Sequence, residues 1–179
     1  MIRLVVLTFR VTLTFLVCGL TSVSFAQTCV DSIIPTTDIR DYKLDDSGTI
    51  THRTLKIMWN RCALGQTWQG SKCTGEPVLE SWVDARRLAT ASSLHSFKDW
   101  RLPSIHELSG ITELSCQNPA INLKLFPNAP SVSFWTATEF VNDKNLAWQI
   151  FIGSGENHGA KKSIPAAILL VRSLIDGDE

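Results

Sequence analysis

Five cysteines stand at positions 18, 29, 62, 73 and 116, and the chemistry open to them depends on where the chain goes. Met1 to Ala26 opens with Arg3, runs through the apolar stretch Val11 to Leu20 and ends in Ser24-Phe25-Ala26, with small residues where a signal peptidase reads. That is the pattern of a secretory signal. Arg10 interrupts the apolar run and argues against a spanning helix, while Leu16-Val17 lacks the small residue that precedes a lipid-modified cysteine, leaving a lipid on Cys18 as the lesser alternative. Removal of residues 1–26 leaves Cys29, Cys62, Cys73 and Cys116 in an oxidising compartment, periplasmic or at the cell surface, and an even set there reads as two disulfides. Of three pairings, Cys62–Cys73 with Cys29–Cys116 is expected. Gly65, Gly70 and their polar neighbours let the segment between Cys62 and Cys73 turn back on itself, and the second bridge then staples the N-terminus to the domain. The intervals of 32, 10 and 42 residues hold no Cys-x-x-Cys, so zinc is the weaker reading and no metal is expected.

Catalytic constellations are missing from the sequence. No Gly-x-Ser-x-Gly or His-Glu-x-x-His occurs, and His52, His95, His106 and His158 stand without a nucleophile at motif spacing; the last three are expected on a helix end, in a helix first turn and in a turn, all solvated. Glu107, three residues after Ser104, reads as a capping-box acid rather than a general acid, and Arg101 as a buried fork for backbone carbonyls. Asp45-Asp46-Ser47-Gly48 reads as a hairpin turn rather than an ion site. No catalytic residue and no cofactor are therefore expected. What remains is binding: Lys161-Lys162 follows a Gly-rich turn and Lys144 lies in the polar turn Asn142–Asn145 one strand away, so the three suit a polyanion if their loops meet at one end of a sheet. Trp68 lies among Gln66, Thr67, Gln69 and Gly70 in the small disulfide loop, a position suited to stacking on a sugar ring, whereas Trp59, Trp82, Trp100, Trp135 and Trp148 fall on faces expected to be buried.

These residues need a scaffold. Without residues 1–26 the chain has 153 residues, fifteen basic against seventeen acidic and hence a net charge of −2, which offers nucleic acid no global basic field. One domain suits that length. Residues 27–41, with Pro35 and several Asp, read as an N-terminal arm, and residues 42–175 as the domain. A hairpin is expected around Asp45–Gly48, then a half-buried strand Leu55–Trp59. Two helices follow, one capped by Ser81 with Trp82, Ala85, Leu88 and Ala89 inward, the other capped by Ser104 and running to about Cys116. Beyond residue 118, Phe134–Thr138, Leu146–Ile152 and Ala167–Val171 read as strands. Early helices and a sheet completed late give an α+β class, two helices packed on a mostly antiparallel sheet.

Seven ordered segments carry a family resemblance: Ile57-Met58-Trp59, Cys62 to Trp68, Ser81-Trp82 with Ala85, Trp100-Arg101-Leu102-Pro103, Ile121-Asn122 with Phe126-Pro127, Phe134-Trp135-Thr136, and Val171-Arg172. Together they resemble the Lcl C-terminal domain, named for the tail of a bacterial collagen-like adhesin. The resemblance implies a fold related to the C-type-lectin-like and sulfatase-modifying-factor folds, and the adhesin implies binding of sulfated polysaccharide and attachment to surfaces. An envelope or host-surface protein is the alternative partner, and an enzyme on the sulfatase-modifying scaffold the alternative activity. The sulfatase-modifying enzymes, however, need a late pair of redox cysteines, and nothing after Cys116 is a cysteine. No Gln-Pro-Asp or Trp-Asn-Asp calcium motif of the lectins occurs, and with no collagen repeat upstream a trimer is not implied.

Overall fold

The computed structural model describes residues 26–175, so the expected signal, Ala26 apart, lies outside the described residues. In chain order the strands are β1 (Thr28–Cys29), β2 (Tyr42–Leu44), β3 (Thr49–His52), β4 (Ile57–Asn60), β5 (Thr67–Trp68), β6 (Cys73–Thr74) and β7 (Leu79–Glu80). Helices α1 (Trp82–Ala91) and α2 (Ile105–Gly110) come next, followed by β8 (Cys116–Gln117), β9 (Ser133–Glu139), β10 (Leu146–Phe151), β11 (Glu156–Lys161), β12 (Ala166–Ala167) and β13 (Val171–Ser173). The larger sheet runs β11-β10-β9-β12-β7 and the second β13-β4-β3-β2, with β12–β9 the parallel pair; β1–β8 and β5–β6 are short ribbons. Two helices against a mainly antiparallel β structure are compatible with the expected α+β class.

The hairpin between β2 and β3 forms as its turn residues dictate. The Asp45 carboxylate accepts from the Ser47 N–H at 2.8 Å, and Gly48 takes a φ of +97° that a side chain would resist. After β3 the chain turns again through Lys56 into β4, which differs from the half-buried strand expected. All four of its residues are buried, because Ile57 and Trp59 point into one apolar cluster while Met58 points into another. The C-terminal run makes the same division over a longer stretch. Ala166, Ile168 and Leu170 enter the cluster under α1, whereas Ala167, Leu169 and Val171 enter the cluster around Trp59 and Phe134. The run expected as one strand is thus two, β12 in one sheet and β13 in the other, joined by extended chain buried on both sides. Burial of each large aliphatic side chain contributes roughly 1.5–3 kcal/mol, so the crossing holds the two sheets together.

The helices close the two clusters from outside. Ser81 caps α1 by accepting from the Asp84 N–H, and Trp82, Ala85 and Ala89 are buried. On α2, Ser104 and Glu107 form a complete capping box and Leu108 is buried. This helix stops at Gly110, short of the expected end near Cys116, because the chain beyond it turns to β pairing: Thr112 bridges Ile121, and the Glu113 N–H donates to the Ala120 carbonyl. Two histidines also differ from expectation. His158 lies within β11 rather than in a turn, and His95, past the end of α1, is half-buried with its Nε2 3.0 Å from Asn60 Oδ1. Burial lowers the pKa of His95, and Asp45 opposes that shift.

Both expected disulfides are present. Cys62–Cys73 is buried, and Cys29–Cys116 joins directly opposed residues of β1 and β8. Near the second bridge a carboxylate unremarked in the sequence gathers a dense polar cluster. Buried Glu113 accepts from the N–H and hydroxyl of Thr36, of Thr37 and of Ser115, at 2.7–3.2 Å, and so clasps the arm to the domain. Burial by itself disfavours its charge, but the bonds from Thr37, Thr36 and Ser115 outweigh burial and carry its pKa from the ordinary 4.5 to about 2. A depressed carboxylate pKa stabilises the fold in full above the unfolded value and loses that contribution as pH falls through the folded one. Stability should therefore include about 3 kcal/mol from Glu113 at neutral pH, lost between about pH 4.5 and pH 2. Thermal melts against pH for the parent and Glu113→Gln should converge toward pH 2 and separate above pH 5; parallel curves would show that the clasp carries no such linkage.

Candidate functional site

The three candidate lysines meet where the loop after β9, the end of β11 and the start of α1 come together. A run of backbone bonds brings them there. The Leu146 and Asn145 N–H groups close the loop onto Asp143, and the Lys162 N–H donates to the Asn145 carbonyl at 2.9 Å. The Trp82 N–H, at the first residue of α1, in turn donates to the Lys162 carbonyl at 2.9 Å. Lys162 is thereby tied to both neighbours through its own peptide groups. The result is an open concavity of about 500 Å³ lined by Lys144, Lys161 and Lys162 with Asp143, Asn145 and Ser163. The convergence expected from sequence is thus found, although Lys161 ends a strand rather than standing in a loop.

The lysines are not equivalent. Lys144 and Lys161 are exposed. Lys162 is held: its Nζ lies 2.8 Å from Glu139 Oε2 and 4.2 Å from the centre of the Trp82 ring, and only a fifth of its side chain is exposed. Arg86, one turn after Trp82 on α1, places its guanidinium 4.6 Å from the same ring. The Lys162 hydrogen bond, then the charges of Lys162, Arg86 and Lys144, lower the pKa of Glu139. Arg86 and Glu139 were not among the sequence candidates. The i, i+4 spacing of Trp82 and Arg86 was the available signal for the first, whereas Glu139 meets Lys162 only through the fold.

Trp68 stands apart from this concavity, in the β5–β6 ribbon beside the β2–β3 turn. It is half-buried and already engaged. Its Nε1–H donates to the Asp46 carbonyl at 2.8 Å, the Arg61 guanidinium lies 4.4 Å from the ring centre, and Gly48 packs so close that a Cβ there would come within 2.5 Å of the ring. Cys29 and Cys116 belong to another concavity, about 880 Å³, between the arm and the segment after α2. Its lining is largely aliphatic, with Ile33, Ile34, Ile39 and Leu123, and the Glu113 carboxylate at its wall is the one spent on the clasp.

Arg101 departs from the role read for it. Its two terminal nitrogens each lie 2.8 Å from one oxygen of Glu107, and a single carbonyl, of Leu102, accepts at 3.2 Å. The capping box turns the Glu107 carboxylate back toward the chain preceding Ser104, where the guanidinium fork meets it bidentately. Burial disfavours the Glu107 charge, but the bonds from Arg101 and Ser104 prevail and its pKa is lowered.

Residues 48–172 match the family model of the Lcl C-terminal domain. The chain belongs to this family. All seven resembling segments lie within the match, and in this Lcl C-terminal domain they do packing work: Trp59, Trp82, Trp100, Phe126, Trp135 and Val171 are all buried. The lysines of the concavity lie outside those segments but within the match. No curated protein matches the chain.

The Gly48–Trp68 contact yields a direct test. Gly48→Ala puts a side chain both at positive φ and into the indole, and should cost about 2 kcal/mol while shifting Trp68 emission. Urea unfolding followed by fluorescence measures both; an unchanged midpoint would show that the ribbon yields freely.

Proposed function

We propose that this Lcl C-terminal domain is an exported, non-enzymatic binding domain whose ligand is a sulfated polysaccharide, gripped at Lys144, Lys161 and Lys162. The observation that carries the reading is the convergence of these lysines, from the loop after β9 and from the end of β11, on one open concavity. Lysine heads are compact charges that suit sulfate esters strung along a flexible polymer, where no single fixed geometry recurs. Two disulfides, and no helix among the described residues long and apolar enough to cross a membrane, are consistent with export to the periplasm or cell surface. The non-enzymatic reading draws on two buried or half-buried carboxylates with lowered pKa values, Glu107 and Glu113, whose oxygens are all committed to structural partners. The relationship to lectin-like and sulfatase-modifying folds belongs to the same proposal. Trp68, outside the concavity, is a separate stacking contact in this reading.

Exposed charges are screened over about 8 Å at physiological ionic strength, so retention on immobilised heparin should be strong at low salt and fall steeply as salt rises. Replacing all three lysines by Gln should abolish retention with little change in melting temperature, and Trp68→Ala should weaken binding even at high salt. Parent protein that passes heparin unretained at low salt, or a triple variant retained like the parent, would overturn the reading. A second reading, an envelope or host-surface protein as partner, has its own observation in the aliphatic side chains the arm leaves exposed, Ile34 at 86% foremost, with Val30 and Ile33 near half.

A further inference from the structure

Beside the lysine concavity, bonded to its Lys162, stands a carboxylate that a purely anion-binding surface would not need. Glu139, at the end of β9, has half its side chain exposed and pairs with Lys162 at 2.8 Å, and the charges of Arg86 and Lys144 also act on it. Arg86 and Lys162 in turn both lie over the Trp82 ring, at 4.6 and 4.2 Å. The indole thus touches both cations, each attracted to the negative charge on a face of its π system. Three cations, Lys162, Arg86 and Lys144, thus act on Glu139, and Lys162 and Lys144 also line the concavity with Lys161 and Asp143.

We propose that Arg86 is a fourth ligand-binding cation of this site and that Glu139 is its built-in competitor, occupying Lys162 in the free protein and yielding it to an incoming sulfate. The inference rests on the polyanion reading and assigns how that site is regulated. A ligand sulfate must take over the hydrogen bond from Lys162 to Glu139, and the released carboxylate then repels it. The competitor weakens binding at every exposed position but matters most for ligands of low charge density, which offer Lys162 few sulfates to replace the carboxylate. The site so built discriminates by charge density: densely sulfated chains engage all four cations, sparsely sulfated ones meet an occupied lysine. The Trp82 ring, anchored by its Nε1–H on the Thr136 carbonyl at 2.8 Å, keeps Lys162 and Arg86 in place when Glu139 lets go.

The test uses the oxidised, exported protein with heparin and with a sparsely sulfated chondroitin as probes. Glu139→Gln should tighten heparin binding roughly fivefold, the upper range for one exposed ion pair, and should tighten chondroitin binding by a larger factor. Arg86→Gln should weaken heparin binding and lower the slope of log affinity against log salt by about one, while Arg86→Lys retains the parent slope. Melting temperatures of all variants should match the parent, and Glu139→Ala serves as a second removal of the charge. Heparin binding unchanged or weakened in both Glu139 variants, or an Arg86→Gln slope equal to the parent's, would overturn this inference while leaving the three-lysine site standing. If neither the parent nor Glu139→Gln binds heparin at low salt, the underlying polyanion reading fails instead.

Discussion

Everything in this fold depends on six consecutive residues keeping strict alternation between two interiors. Ala166, Ile168 and Leu170 serve one cluster, Ala167, Leu169 and Val171 the other, and the same stretch leaves one sheet and enters the second. A slip of one residue would exchange every side chain between interiors of different shape, with Ala positions facing space built for larger neighbours. β12 sits between β9 and β7, pairing Ala167 with Phe134 near the start of β9 and with Leu79 of the strand that leads into α1.

The concavity is built on rigid elements at its back and loop chain at its front. Lys162 and Arg86 are positioned by Trp82, a residue buried in the cluster under α1, whereas Lys144 and Lys161 project from the polar loop and the strand end. Two cations are thus fixed by packing and two adapt. If the ligand is the sulfated polymer proposed above, such a division would let the fixed pair define where the chain crosses and the adaptable pair follow its substitution.

Local signals were legible in the sequence wherever the physics was local. Ser81 and Ser104 announced their helices through cap chemistry, Asp45–Gly48 announced its hairpin, and the polar, Gly-containing segment between Cys62 and Cys73 announced its bridge. What escaped reading arises between distant residues. Glu113 carries no motif, and its six bonds come from Thr36 and Thr37, more than seventy residues away, as well as from Ser115. Likewise Ala166 to Val171 looks like one buried strand from its composition alone, since apolar alternation between two interiors leaves no polar residue to mark the division. Arg101, readable as a fork for carbonyls, meets one carbonyl, of Leu102, and both oxygens of Glu107, because a fork for carbonyls and a fork for a carboxylate share one sequence pattern.

Two of the arm's fastenings are the covalent bond at Cys29–Cys116 and the Glu113 clasp at Thr36 and Thr37. The two fastenings answer to different chemical variables, electrons for one and protons for the other. A reductant at neutral pH opens the first and leaves the second ionised and fully bonded; acid in an oxidising medium weakens the second and leaves the first intact. Neither condition alone undoes both fastenings, and the β1–β8 pairing and the Gln27 bonds to the Pro119 and Ile121 carbonyls answer to neither variable.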